Sequence, residues 1–291
     1  MLELIRYDFV QNAFLAGTIV AIVTAVIGYF VVLRAQAFAG HALSHIGFAG
    51  ATGAALLGIS SLLGMFALTL IAALGMGALG KRVRGRDVEI GMVLSFALGL
   101  GVLFLSLYTQ YASETVGVLF GSILSVTRSD VLITLSCGIA TLLVMGLIFR
   151  PLLFASIDPE VAQARGVPVG LLAIVFMALL AITVAEAIQV VGVLLVFALL
   201  VAPAATAERL THRPLTAIAL SIVLGLVFTW SGLILSFAGH WPVSFYIAAL
   251  ASCSYLVSVG IGRLRSLRSP RRYKCPPHPS REHIFATRQE F

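Results

Sequence analysis

The chain has 291 residues, of which 60% are hydrophobic and 11% charged, with a mean hydropathy of +1.06. That composition excludes an ordinary soluble domain and places the chain in a bilayer. The formal charge of +7 is concentrated at one end: residues 263–291 hold eight Lys/Arg against Glu282 and Glu290, so the remainder is nearly neutral. The basic balance therefore gives no support to nucleic-acid binding and fits a short cytoplasmic tail beside anionic lipid.

A helix needs about 20 apolar residues to cross the hydrocarbon core. By that rule the chain is an all-α, polytopic transmembrane bundle of eight or nine spans. The runs are Ala13–Leu33, Phe38–Ile59, Leu62–Gly80, Val88–Leu107, Ser129–Phe149, Val169–Ala187, Val190–Ala207, Leu215–Phe237 and Val243–Gly262. The division between Val169–Ala187 and Val190–Ala207 is the least defined, because one 40-residue apolar run must be cut within Ala185–Gly192, and Glu186 with Gln189 marks the expected turn. Glu3 and Asp8 precede a first run too long for a signal-peptide core, so that run is expected to insert and stay. Residues 1–262 form the expected transmembrane domain and 263–291 a basic, disordered tail.

Loop charges orient the bundle. With Lys81, Arg82, Arg84 and Arg86 inside, Arg34, Arg150, Arg165, Arg209, Arg213 and the tail also fall inside, and only Arg6 and Arg128 fall outside. The C-terminus is then cytoplasmic. Gly47, Gly50 and Gly53, with Gly75, Gly77 and Gly80, predict close helix packing, since small side chains rather than a hydrophobic drive bring helices together in lipid. Cys137, Cys253 and Cys275 share no CxxC spacing and read as small hydrophobes.

Two stretches are not spans. Tyr108 to Arg128 includes Gly117-Val118-Leu119-Phe120-Gly121-Ser122-Ile123-Leu124, too short to cross and too apolar for a solvated loop; a short helix packed on the outer face is expected. The second runs from Arg150 to Pro168. There Asp158 is suited to cap a helix, Pro159 to its first position, and Gly166 to the residue past its end. A short, well-capped cytoplasmic helix follows.

The chemistry centres on Gly40-His41-Ala42-Leu43-Ser44-His45. Histidines four apart share one helix face. Polar groups inside a membrane are costly unless satisfied, and neutral imidazole is a good ligand for zinc and related divalent ions. Glu186 is a second candidate, as a metal-handling acid or as the cap of an external turn. Glu114, Asp130 and His240 are suited to an outer mouth or to plain solvated loops. Cys275, His278 and His283 have ligand chemistry, but their spacing matches no zinc signature and their Pro/Arg/Ser surroundings read as disorder.

These residues resemble the membrane permease subunit of bacterial ATP-binding-cassette zinc/manganese uptake systems. The resemblance runs from about Phe14 to Gly262. It rests on the His41/His45 segment, Leu119-Phe120-Gly121-Ser122-Ile123-Leu124, the Asp158–Val167 helix, and Val191-Gly192-Val193-Leu194-Leu195 with Ala202-Pro203-Ala204-Ala205-Thr206-Ala207. It implies a fold of the vitamin-B12-importer type in the bacterial plasma membrane, two permease copies, a cytoplasmic ATPase on each, and an external metal-binding protein. It also implies that Asp158, Pro159, Glu160, Ala162 and Gly166 couple the permease to its ATPase. Similar permeases usually carry aspartate where this chain has His41, and keep the histidine matching His45. Imidazole for carboxylate makes the pair softer, which favours zinc, with manganese or iron behind it.

The chain itself has no GxxxxGK[ST] motif, so ATP is used by a partner or not at all. A secondary carrier independent of an ATPase is the rival class. An intramembrane metalloprotease would need HExxH, whereas Ala42 follows His41. The chain is read as a transport subunit, not an enzyme, with no resident cofactor.

Overall fold

The structure, a computed structural model, describes residues 7–79, 86–107, 121, 123–239 and 241–268. It is all-helical over those residues: α1 (Asp8–Leu33), α2 (Ala37–Leu56), α3 (Ser61–Leu79), α4 (Arg86–Leu107), a 3-10 turn (Ile123–Ser125), α5 (Arg128–Ile157), α6 (Pro159–Ala164), α7 (Val169–Val191), α8 (Val193–Leu210), α9 (Pro214–Ala238) and α10 (Val243–Arg268). Eight of these helices are long and apolar enough to cross a membrane. The ninth long helix, α2, has 20 residues, about 30 Å by helical rise, but with two histidines and four glycines it is not among those eight.

Packing explains why α2 survives with so little apolar mass. The axis of the bundle is α1 with α7: two-thirds of each is buried, against 17% for α4 and α10. α1 contacts α5, α7, α8 and α9; α2 packs on α3, α4, α7 and α8; α10 closes against α8 and α9. α2 and α3 meet backbone to backbone. A Cβ on Gly50 would overlap the carbonyl oxygen of Gly64 and stand 2.9 Å from its carbon, so only glycine fits that crossing. The expectation of close small-residue packing holds at Gly47, Gly50, Gly53 and Gly77, but a Cβ on Gly75 would meet nothing within 4 Å. Gly80 lies outside the described residues.

Three boundaries differ from the sequence expectation. The long apolar run divides at Gly192, not at Glu186 and Gln189: Gly192 takes φ 83° and ψ 160°, a conformation that only glycine adopts at little cost, and both polar residues stay inside α7. α5 does not stop at Phe149 but continues through Pro151 to Ile157. Proline removes the hydrogen bond to the Leu147 carbonyl, a loss that membrane helices tolerate where local adjustment satisfies the freed group. α10 continues beyond Gly262 to Arg268, so the first residues assigned to the tail are helical.

Each end of the bundle is tied by polar contacts. At one end Arg128 pairs with Asp8 at 3.1 Å, Asn12 donates to the Val126 carbonyl, and Gln189 donates to Asp130 at 2.8 Å. At the other, Arg34 donates to Ser156 and lies over the Phe176 ring, and Arg209 does the same with Tyr255. Arg34 follows α1, Arg165 follows α6, Arg209 lies in the last turn of α8 and Arg213 precedes α9, whereas Arg150 lies within α5.

Candidate metal-handling site

α2 begins one turn before the histidines and buries nearly everything around them. From Ala39 to Thr52 every residue is buried except His41 and His45, which are partly open. The pair therefore occupies the one face of α2 that the chain's own packing leaves uncovered. The rings meet edge to face, with centroids 4.7 Å apart and planes at 84°, and His41 makes a second such contact with Phe197 of α8 at 5.2 Å. The i, i+4 spacing puts both imidazoles on one line, and Phe197 fixes where the first one sits.

One ring nitrogen stands out chemically. His45 Nδ1 is buried and has no hydrogen-bond partner. Leaving such an atom unpaired costs about 1–3 kcal/mol. Around the pair, α8 presents a partly open stripe of Leu194, Phe197, Ala198, Val201, Ala202 and Ala205 at helical spacing. Phe197 joins this stripe to the histidines.

The structure brings His41 and His45 together and leaves Glu186 elsewhere. Among the described residues no group of three His, Cys, Asp or Glu could hold a metal ion. α7 turns Ile188 toward α2, where its Cδ1 lies 2.6 Å from the position of a Cβ on Gly47. Two residues back along a helix points to roughly the opposite side. Glu186 is only 2% exposed and lies over Gly138 of α5, 3.4 Å from where a Cβ there would be.

The remaining sequence candidates divide. Asp130 is structural: with Thr127 it closes a capping box at the start of α5, and it accepts from Gln189. Glu114, His240, Cys275, His278, His283 and the basic run 81–85 lie outside the described residues, as does most of the 117–124 segment. What is described of that segment, Gly121 and the Ile123–Ser125 turn, packs on α1 and on the Val191–Gly192 break.

The capped helix is α6. Asp158 Oδ1 accepts from Val161 N at 3.0 Å, Pro159 opens the helix, and Gly166 takes φ 83° just past its end. Ala162 is fully buried, whereas Asp158, Pro159, Glu160 and Gly166 are exposed. α6 thus protrudes from the basic end of the bundle, seated through one methyl group. Sequence reading missed Phe197 and Gly192: an apolar run gives no signal for which of its residues faces an imidazole, although the lone glycine in Val191-Gly192-Val193 was visible.

The arrangement can be set beside known proteins. The manganese transport system membrane protein MntC of Halalkalibacterium halodurans is 34% identical over 235 residues, 80% of each chain. The high-affinity zinc uptake system membrane protein ZnuB of Haemophilus influenzae is 31% identical over 232 residues, 79% of this chain and 88% of that one. Among solved structures, PsaBC from Streptococcus pneumoniae in complex with Fab contains a chain similar at TM-score 0.80 and 30% identity, covering 91% of this chain and 96% of that one. The family model of the ABC 3 transport family matches residues 6–262, from before α1 to within α10, and to that family this chain belongs.

Proposed function

We propose that the chain is the permease subunit of an ATP-driven importer of a divalent metal ion, with zinc its first substrate and manganese or iron behind it. The observation that carries this reading is the imidazole pair. In a 14-residue stretch buried everywhere else, His41 and His45 alone stay open, and His45 Nδ1 has no partner. Relatives named for manganese and for zinc support the metal class, and the softer nitrogen pair supports zinc within it.

Two histidines are half of a zinc coordination shell, which takes four ligands when closed. A second permease copy, meeting the first along the open α2/α8 face, would bring a second pair opposite. An ion held by weak, shared ligands is released readily, which a waypoint requires and a storage site does not. With the basic end of the bundle and the C-terminus in the cytoplasm, α6 reaches an ATPase subunit there, and the opposite end receives the ion from an external binding protein. ATP binding would draw the α6 helices together and reopen the route on the inner side.

Reconstitution tests this reading. His41→Ala with His45→Ala is expected to abolish zinc uptake into proteoliposomes while leaving expression and ATPase binding unchanged, and omission of the ATPase is expected to stop wild-type uptake. Normal uptake by the double variant would make the pair structural, and full uptake without the ATPase would make the chain a secondary carrier.

A further inference from the structure

Glu186 is the one acid buried inside the bundle among the described residues, and the metal route does not use it. Neither of its carboxylate oxygens has a hydrogen-bond partner. It lies in the seam where α7 meets α1 and α5, facing Ile19 and Val23 of α1 and the bare backbone of Gly138. On α5, Thr134 and Thr141 stand one turn to either side of Gly138, on the same face by their spacing. Both are at most 2% exposed, and both hydroxyls also lack partners. Three buried oxygen-bearing side chains along one apolar seam thus lack a protein partner together, where such groups are ordinarily paired.

A metal ion does not fit this seam. A Cβ at Gly138 would already press on Val23 at 3.0 Å and Ile19 at 3.1 Å, so the space before the carboxylate is filled by apolar atoms. No cationic residue faces it: α1 has no ionisable group between Asp8 and Tyr29, and α5 has only Cys137 between Asp130 and Arg150. A cysteine carries no positive charge in either of its states, so Cys137 supplies no counter-ion. An ionised carboxylate in such surroundings would keep its full desolvation penalty with nothing to offset it. The cation small enough to enter is a proton.

A polar file connects this acid to the end of the bundle. Gln189 is one turn further along α7, its Oε1 unpartnered and its Nε2 donating to Asp130 in the first turn of α5. Thr134 lies between the levels of Asp130 and Gly138 on the same helix.

We infer that Glu186 is a proton-binding site: it holds a proton on its carboxyl group while the α1/α5/α7 seam is closed, and loses it to water when the seam parts during transport. In that step the carboxyl O–H bond breaks, the proton passes to a water molecule on the Gln189–Asp130 side, and the hydrated carboxylate remains. Closure reverses it. The exchange half of this inference rests on the reading of the chain as a transporter driven by conformational cycling; the protonated state does not.

Infrared spectroscopy separates the two. The full chain in lipid nanodiscs is expected to show the C=O band of a protonated carboxylic acid, absent from Glu186→Gln and displaced in Glu186→Asp, which keeps a carboxyl group on a shorter arm. This arm needs no metal, ATP or partner, so failed zinc uptake would leave it standing. A wild-type spectrum lacking any Glu186-dependent acid band would overturn the inference, whichever variant folds. In deuterated buffer the band of the assembled transporter is expected to shift to its deuterated position at least tenfold faster during ATP turnover than at rest. Equal exchange rates with and without turnover would overturn the link between the proton and the cycle.

Discussion

Gly50→Ala tests the packing that sets α2, and hence the histidines, in place. The added methyl would overlap the carbonyl oxygen of Gly64, lie 2.9 Å from its carbon and 3.1 Å from Leu68 Cβ. Carbon atoms rest comfortably about 3.5–4.0 Å apart, so α2 and α3 must separate by roughly 0.5–1 Å, and a gap of that size forfeits a quarter to a half of each affected contact. Overpacking of this kind costs about 1–3 kcal/mol, and the better helix propensity of alanine returns only about 0.5–1. A net loss of ~1–2 kcal/mol lowers the melting temperature of a chain this size by roughly 2–3 °C, readable from thermal melts of the detergent-solubilised protein followed by size-exclusion chromatography. Gly75→Ala is the control, because nothing lies within 4 Å of its Cβ; it is expected to melt at or slightly above wild type. Gly50→Ala combined with Gly64→Ala is expected to cost less than the sum of the two, since one separation of the helices relieves both overlaps. If Gly50→Ala and Gly75→Ala melted alike, the reasoning from backbone contact would be refuted.

Two further outcomes follow from local geometry. Gly192→Ala forces a methyl-bearing residue into φ 83°, ψ 160°, at a cost of about 1–3 kcal/mol; a lowered melting temperature and reduced metal uptake are expected, and an unchanged melt would refute the strain. Asp158→Ala removes the side-chain acceptor for Val161 N, about 1 kcal/mol of cap stability, from a helix seated through Ala162 alone. It is expected to uncouple ATP hydrolysis from uptake in the reconstituted transporter with bundle melting within a degree of wild type, and Asp158→Asn, which retains a capping oxygen, is expected to restore most of the coupling.

The parts of this molecule that could be read from its sequence are those where a local rule speaks. Histidines at i and i+4 share a face wherever the helix lies, and Asp158, Pro159 and Gly166 mark helix start and stop by their own backbone chemistry. The location of Glu186 could not be read, because a uniformly apolar helix has no polar side to distinguish, and which residues of α7 face α1 rather than α2 depends on partners far away in sequence. The division of the α7/α8 run was misplaced for a related reason: two polar residues looked like a water-facing turn, whereas the backbone turns at one glycine and the acid is sealed inside. Pro151 shows the same limit in the other direction, since a residue that ends most soluble helices is passed over in a 30-residue one.

The single methyl that seats α6 has a mechanical meaning. A body pinned at one point swivels easily but passes axial load, and α6 is joined at one end to α5 through Asp158 and at the other to α7 across Gly166. α7 has 23 residues, a strut about 34 Å long, ending at the backbone break at Gly192. A lean of five degrees at its foot carries its tip sideways by about 3 Å, comparable to the reach of one side chain. Leverage of that order is already built into the covalent path from the protruding helix to the start of α8, where Phe197 rests against His41.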